Sequence, residues 1–221
     1  MNKILVVAPH PDDETLGCGG TILKHIDNGD QVHWLIVTQM SKKVGYTKDE
    51  IDEKTKEINE VKRLFGFNKV HEFRYDTTQL DQVPKSELVS KFSKLAHHEQ
   101  FNKLYLPFRN DAHSDHKIVY DSAITLAKSF RYESVESIYV YETISETEYG
   151  FKPTSNFNPN LFVDISKYLK QKISIMSVYK NEILDFPFPR SKDCIESLAK
   201  LRGSQIDCTA AEAFMIIKEK K

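Results

Sequence analysis

Five short apolar runs, at 4–8, 32–38, 70–73, 103–107 and 137–141, alternate with longer charged stretches of helical character. That rhythm predicts an α/β fold: a doubly wound, Rossmann-like, mostly parallel sheet with helices on both faces and crossovers of one hand. The stretch 49–65 shows the helical half of the pattern. Ile51, Ile58, Val61, Leu64 and Phe65 recur at helical spacing among Glu and Lys, and Gly66 stands where a C-terminal cap would stop the helix. Beyond 141 the rhythm loosens. Residues 150–159, rich in Asn, Pro and Ser, read as a long loop. A strand near 161–164, a helix over 166–183 and another over 191–202 follow, a tail placed to wall a pocket. The basic run 218–221 reads as a solvated end. With 221 residues and no internal repeat, low-complexity tract or linker, one domain spanning 1–221 is the simplest expectation.

Charge narrows the partner. Lys+Arg total 31 against Asp+Glu 32, a net charge of -1, so no global field gathers nucleic acid or an anionic membrane. A small-molecule partner is expected, with no nucleic acid. The three cysteines, Cys18, Cys194 and Cys208, include no CxxC pair, which argues against a disulfide framework and a structural zinc knuckle and fits a reducing cytoplasm. The N-terminal apolar run breaks at Pro9 and His10, too short for a signal h-region or a membrane span, so a cytoplasmic chain without membrane insertion is expected.

The first run empties into PHPDDE, residues 9–14, just past the carboxyl end of strand one, where ligands bind in open α/β sheets. Gly17, Gly19 and Gly20 do not space as a dinucleotide fingerprint, and Asp12, Asp13 and Glu14 would repel a pyrophosphate. Carboxylates beside an imidazole suit a cation. Taken alone, the stretch reads equally well as helix N-terminal acids and a loop histidine. A second cluster, PFRNDAHSDH at 107–116, sits at the end of the fourth run. In the common doubly wound order the first and fourth strands are neighbours, so the two loops face each other across the switch-point crevice. If a helix opens near Ser114, His113 and His116 point roughly the same way, one toward a metal and one toward a substrate.

PHPDDE and HSDH together resemble the LmbE-like, or PIG-L, family of zinc-dependent N-acetylglucosaminyl deacetylases. The likeness extends to GG at 19–20, YET at 141–143, PFPRS at 187–191, RG at 202–203 and AEAF at 211–214. The resemblance implies that His10, Asp13 and His116 hold Zn2+, with Fe2+ as the alternative ion, in a three-ligand shell that leaves a position open, as catalytic zinc sites do. It implies that Asp12 is the general base, that His113, protonated, is the electrophilic or acid partner, and that Asp115 orients His113. The implied reaction is hydrolysis of the N-acetyl group of an amino sugar or its conjugate, giving acetate and a free amine. Asp76 resembles a sugar-contact position. Asp111 stands where some members carry a carbonyl-polarising tyrosine, Lys54 where an arginine is common, and Ser114 where a proline is usual. Arg190 is a further substrate-contact candidate. Two other readings remain open at this level: a non-catalytic carbohydrate-binding protein with a retained metal site, and a non-haem Fe(II) enzyme, since two histidines and one carboxylate also suit iron. A homo-oligomer is compatible with everything above.

Overall fold

Strands buried on both faces must be apolar at every position, which accounts for the continuous apolar runs at the start of the chain. The computed structural model describes residues 1–151 and 156–220. Strands β1 (Lys3–Ala8), β2 (Gln31–Gln39), β3 (Lys69–Asp76), β4 (Lys103–Pro107), β5 (Ser137–Tyr141), β6 (Leu161–Asp164) and β7 (Ala211–Glu219) form one sheet in the order β3-β2-β1-β4-β5-β7-β6. The first five are parallel, and β7 runs antiparallel between β5 and β6. β1 and β4 are direct neighbours, Ile4 opposite Lys103 and Val6 opposite Tyr105, so strand order reverses there and opens a crevice above their carboxyl ends.

Alternate strand residues face two cores. Ile4, Val6 and Trp34 pack under α1 (Asp13–Asp27), α2 (Lys48–Phe65), α5 (Leu169–Met176) and α6 (Lys192–Ser204) through Ile22, Val61, Ile175 and Ile195. Leu5, Val7 and Leu35 pack against α3 (Lys85–Glu99) and α4 (Ser114–Ala123) through Phe92 and Val119. α2 opens on a reciprocal Thr47–Glu50 capping box and closes at Gly66, whose φ of 80° favours glycine. α1 is pressed against the sheet at its glycines. A Cβ on Gly17 would enter the Tyr141 ring, and one on Gly20 would lie 2.6 Å from Ile165 Cβ. The amides of Gly20 and Thr21 donate to Glu212 of β7 at 2.9 and 2.7 Å, while Lys172 donates to Glu212 and to the Leu16 carbonyl at 2.6 and 2.8 Å. This buried Lys–Glu pair ties α1, whose N-terminus carries Asp13 and Glu14, to the tail of the chain.

The tail departs from expectation in two places. The helix expected over 166–183 is α5 alone, because the amide of Lys180 donates to Glu57 of α2 and Tyr179 turns into the core. The expected solvated end begins as strand, with Lys218 and Glu219 closing β7. Lys218 lies in β7 opposite Ile138, and its ammonium donates to the Val135 carbonyl at 2.5 Å. Of the loop expected over 150–159, residues 152–155 lie outside the described residues, as does the last residue of the run 218–221. Among the described residues no helix is long and apolar enough to cross a membrane.

Candidate metal and catalytic site

Strand adjacency brings the two motif loops together. β1 delivers His10 and Asp12 on its exit loop and Asp13 on the first turn of α1, and β4 leads to His113, the N-cap of α4, and to His116 one turn in. Asp13 Oδ2 lies 3.4 Å from His10 Nδ1 and 3.3 Å from His116 Nε2, and it accepts the His10 amide at 2.8 Å. His116 Nε2 is buried and has no hydrogen-bond partner, because its approach to Asp13 lacks the alignment of a bond. Its other nitrogen, Nδ1, is 2.7 Å from Asp111 Oδ2, and Asp111 is itself held by the Thr147 hydroxyl at 2.6 Å. A ring whose Nδ1–H is given to a carboxylate presents a lone pair at Nε2. Two imidazole nitrogens and a carboxylate oxygen, converging on one point with an unmet buried acceptor, fit a divalent transition metal. Burial opposes charge on both Asp13 and His116. The neighbouring histidines nonetheless hold Asp13 well below the ordinary carboxylate range, and Asp13 and Asp111 hold His116 well above the ordinary imidazole range, so the carboxylates favour positive charge at Nε2, a proton there being what a metal would displace.

Several expected roles move to different partners. Asp115 orients His113 through its amide rather than its carboxylate: its Oδ2 is 3.2 Å from His10 Nε2 and 4.0 Å from His113 Nδ1, and it accepts the Thr78 amide at 2.8 Å. Asp115 therefore fixes His10 as Asp111 fixes His116. Asp111, buried behind His116, is turned away from the substrate position expected for it. Asp76 faces Lys43 at 4.0 Å, and Thr77 takes its place on the cavity wall. The surroundings of His113 favour its neutral ring over the protonated partner expected. The Asp115 amide donates to its Nδ1 at 3.1 Å, which a protonated nitrogen could not accept, and burial with the nearby His10 lowers its pKa to about 4. The neutral ring then carries its proton on Nε2.

Asp12 occupies the facing wall. Its amide donates to Glu14 Oε2 at 3.1 Å, and Glu14 is held in turn by the Tyr179 hydroxyl at 2.9 Å. Burial, reinforced by Asp13, pushes Asp12 up to about 7 against the pull of Arg190. Arg190 donates from Nη1 to Asp12 at 2.7 Å and to Glu182 at 3.0 Å, from Nη2 to Glu146 at 3.3 Å and from Nε to Ser145 at 2.6 Å. Glu146 also accepts the His113 amide at 3.1 Å, so one guanidinium braces both walls. These groups surround a cavity of about 150 Å³ lined by His10, Asp12, Tyr46, His113, Glu146 and Arg190 among others. A larger cavity, about 500 Å³, lies behind the β5 exit loop against Phe108, Phe157 and Arg202. None of the converging metal-ligand groups lines it, so the chemistry belongs to the smaller one. Sequence reasoning missed Glu146, Glu182 and Thr78, which sit on turns without a motif. The one available signal was that Glu146 follows shortly after YET.

The sequence pattern of the PIG-L family, GlcNAc-PI de-N-acetylase, matches residues 5–127. The diacetylchitobiose deacetylase of Thermococcus kodakarensis is 27% identical over 231 aligned positions, covering 98% of this chain and 84% of that protein. The crystal structure of the N,N'-diacetylchitobiose deacetylase from Pyrococcus horikoshii, bound to an inhibitor, superposes with a TM-score of 0.79 at 25% identity, over 98% of this chain and 84% of the other. The conserved protein TT1542 from Thermus thermophilus superposes with a TM-score of 0.79 over 100% and 97% of the two chains, and its 23% identity speaks to the fold alone.

Proposed function

Because the chain belongs to the PIG-L family of GlcNAc-PI de-N-acetylases, we propose that it is a zinc-dependent N-deacetylase that hydrolyses the acetamide of an N-acetylated amino sugar or its conjugate. The observation that carries this reading is the unpartnered His116 Nε2, 3.3 Å from Asp13 and in the same crevice as Asp12 and His113. His10, Asp13 and His116 would hold the ion, with Fe2+ the alternative occupant. When bound, a divalent ion supplies Lewis-acid polarisation and makes water a better nucleophile at neutral pH.

The chain's own groups do the rest. Asp12 takes a proton from the attacking water as hydroxide adds to the acyl carbon. A pKa raised to about 7 suits it both to accept that proton and to give it to the departing nitrogen. His113 donates from Nε2 to the carbonyl oxygen where negative charge grows, as a neutral donor whose orientation the Asp115 amide fixes. The C–N bond then breaks, and Asp12 returns its proton to the amine. One water is consumed and one acetate and one amine are released. Arg190 keeps Asp12 aimed through its 2.7 Å contact.

One domain suffices for this activity, since the tail supplies Glu182 and Arg190 to the cavity and β6 and β7 to the same sheet. The unpaired Cys18, Cys194 and Cys208 support a reducing, cytoplasmic setting. The test is to incubate the zinc-loaded protein with N-acetylglucosamine and N,N'-diacetylchitobiose and to measure acetate and primary amine. Equal amounts of both, abolished by chelation and restored by zinc, are expected; no acetate from either sugar would overturn the reading.

A further inference from the structure

The cavity that would receive the sugar is lined by three carboxylates, Asp12, Glu146 and Glu182, and two cations, Lys54 and Arg190. Both cations are already engaged. Lys54, almost wholly buried, is 2.9 Å from Glu57 and 3.2 Å from Glu182. Four of the five N–H groups of Arg190 are directed at Ser145, Asp12, Glu182 and Glu146. Apart from the ion, whose open position the acetamide would take, a phosphate entering here could gain a charge-assisted partner only by taking it from a carboxylate, leaving that carboxylate poorly compensated in a partly dry site. A sugar hydroxyl makes no such demand. It can donate to Glu146 or Glu182 and accept the remaining guanidinium N–H.

We infer that this site selects uncharged N-acetylated amino sugars and discriminates against those with a phosphate next to the ring, whether nucleotide-linked or lipid-linked, with Glu182 and Glu146 as the specificity-determining residues. The inference rests on the deacetylase reading and narrows its substrate class. It sets this chain apart from the phosphoinositide conjugate named in its family's description.

The experiment compares kcat/KM of the zinc-loaded enzyme on methyl N-acetyl-β-glucosaminide and on N-acetylglucosamine 1-phosphate, at low and high salt. The neutral glycoside is expected to be favoured by roughly tenfold or more, the scale of one uncompensated charge in a partly buried site. The deficit of the phosphate should shrink as salt screens the repulsion. Glu182→Gln, which releases part of Lys54 and Arg190, should narrow the ratio several-fold. Should that variant fail to fold, the salt series on the unaltered enzyme decides alone. A phosphate ester used as well as the neutral glycoside, or a deficit indifferent to salt, would overturn the inference. If neither compound is hydrolysed and N-acetylglucosamine and N,N'-diacetylchitobiose release no acetate either, the deacetylase reading fails instead. Calorimetric binding of the same two N-acetylated compounds then still decides the charge preference: tighter neutral glycoside supports it, and tighter phosphate ester overturns it.

Discussion

Both ends of the parallel sheet carry two histidines and a carboxylate whose ligand atoms lie within 4.8 Å of one another, one such group at the amino end and two that share His10 at the carboxyl end, yet the two ends are electrostatically unlike. At the amino end, His33 Nδ1 is 3.0 Å from His71 Nε2, so the rings share a hydrogen bond. Glu99 is clamped by Lys3 at 2.6 Å and Lys69 at 2.9 Å. Burial lowers both histidines, His33 to about 4. Burial alone would raise Glu99, but the two ammonium groups bring it down to about 2. Among the described residues no ring nitrogen of this cluster is a buried orphan. At the carboxyl end His116 Nε2 and Asp115 Oδ1 are buried without partners. Ligand-type residues in proximity are therefore not enough to mark a metal site. The mark is a demand the protein leaves unmet, and the amino-end cluster has already met its own.

The comparison can be broken or sharpened by four changes. The largest effect is expected from Asp12→Asn, which should keep metal content near that of the unaltered chain while single-turnover deacetylation falls about a hundred- to ten-thousandfold, the usual worth of a positioned proton acceptor. An Asn variant that purified without metal would instead make Asp12 a ligand. His113→Ala comes next, with a loss of about a hundred- to thousandfold in kcat and little change in metal binding, as for removal of an oxyanion donor.

The pH profile follows. Asp12 must be ionised to accept a proton, so the rate should rise about tenfold per pH unit below its pKa. Burial and Asp13 raise that pKa to about 7, and a bound cation would bring it lower. No falling limb from His113 is expected up to pH 9, because that ring is already neutral; a descending limb abolished by His113→Ala would contradict the assignment of its proton.

The smallest effect belongs to the amino end. Folded His33 titrates near 4 and an unfolded histidine near 6.5, so below about 6.5 the unfolded chain binds the extra proton. Stability should be full above about 6.5, decline as pH falls toward about 4, and level off beneath that. His33→Gln should flatten this part of the profile in urea unfolding at pH 4.5 and 7 while leaving deacetylation unchanged.

What could be read from the chain follows the same division between local pattern and long-range partner. β1, β2 and β4 were legible because burial on both faces leaves a continuous apolar run. The tail was not. β7 alternates into exposed positions and ends on the charged pair Lys218 and Glu219, and α5 stops shortly before Tyr179, which is drawn toward Glu14, a contact between residues 165 apart. That His10, Asp13 and His116 meet in one crevice was legible because two motifs fall at the ends of strands that the fold makes adjacent, whereas the choice of Asp13 over Asp12 as the ligand came only from the family resemblance. The partners of Asp111 and Asp115 were not, since on a loop the direction of a side chain depends on neighbours such as Thr147 and Thr78.

The central claim is tested most directly by calorimetric titration of zinc into metal-free protein, using the unaltered chain, His116→Ala and His71→Ala. The account predicts one tight equivalent for the unaltered chain and for His71→Ala, and its loss in His116→Ala, because the demand for a cation exists at the carboxyl end alone. Tight binding that survives His116→Ala and disappears in His71→Ala would place the metal at the wrong end of the sheet and contradict it.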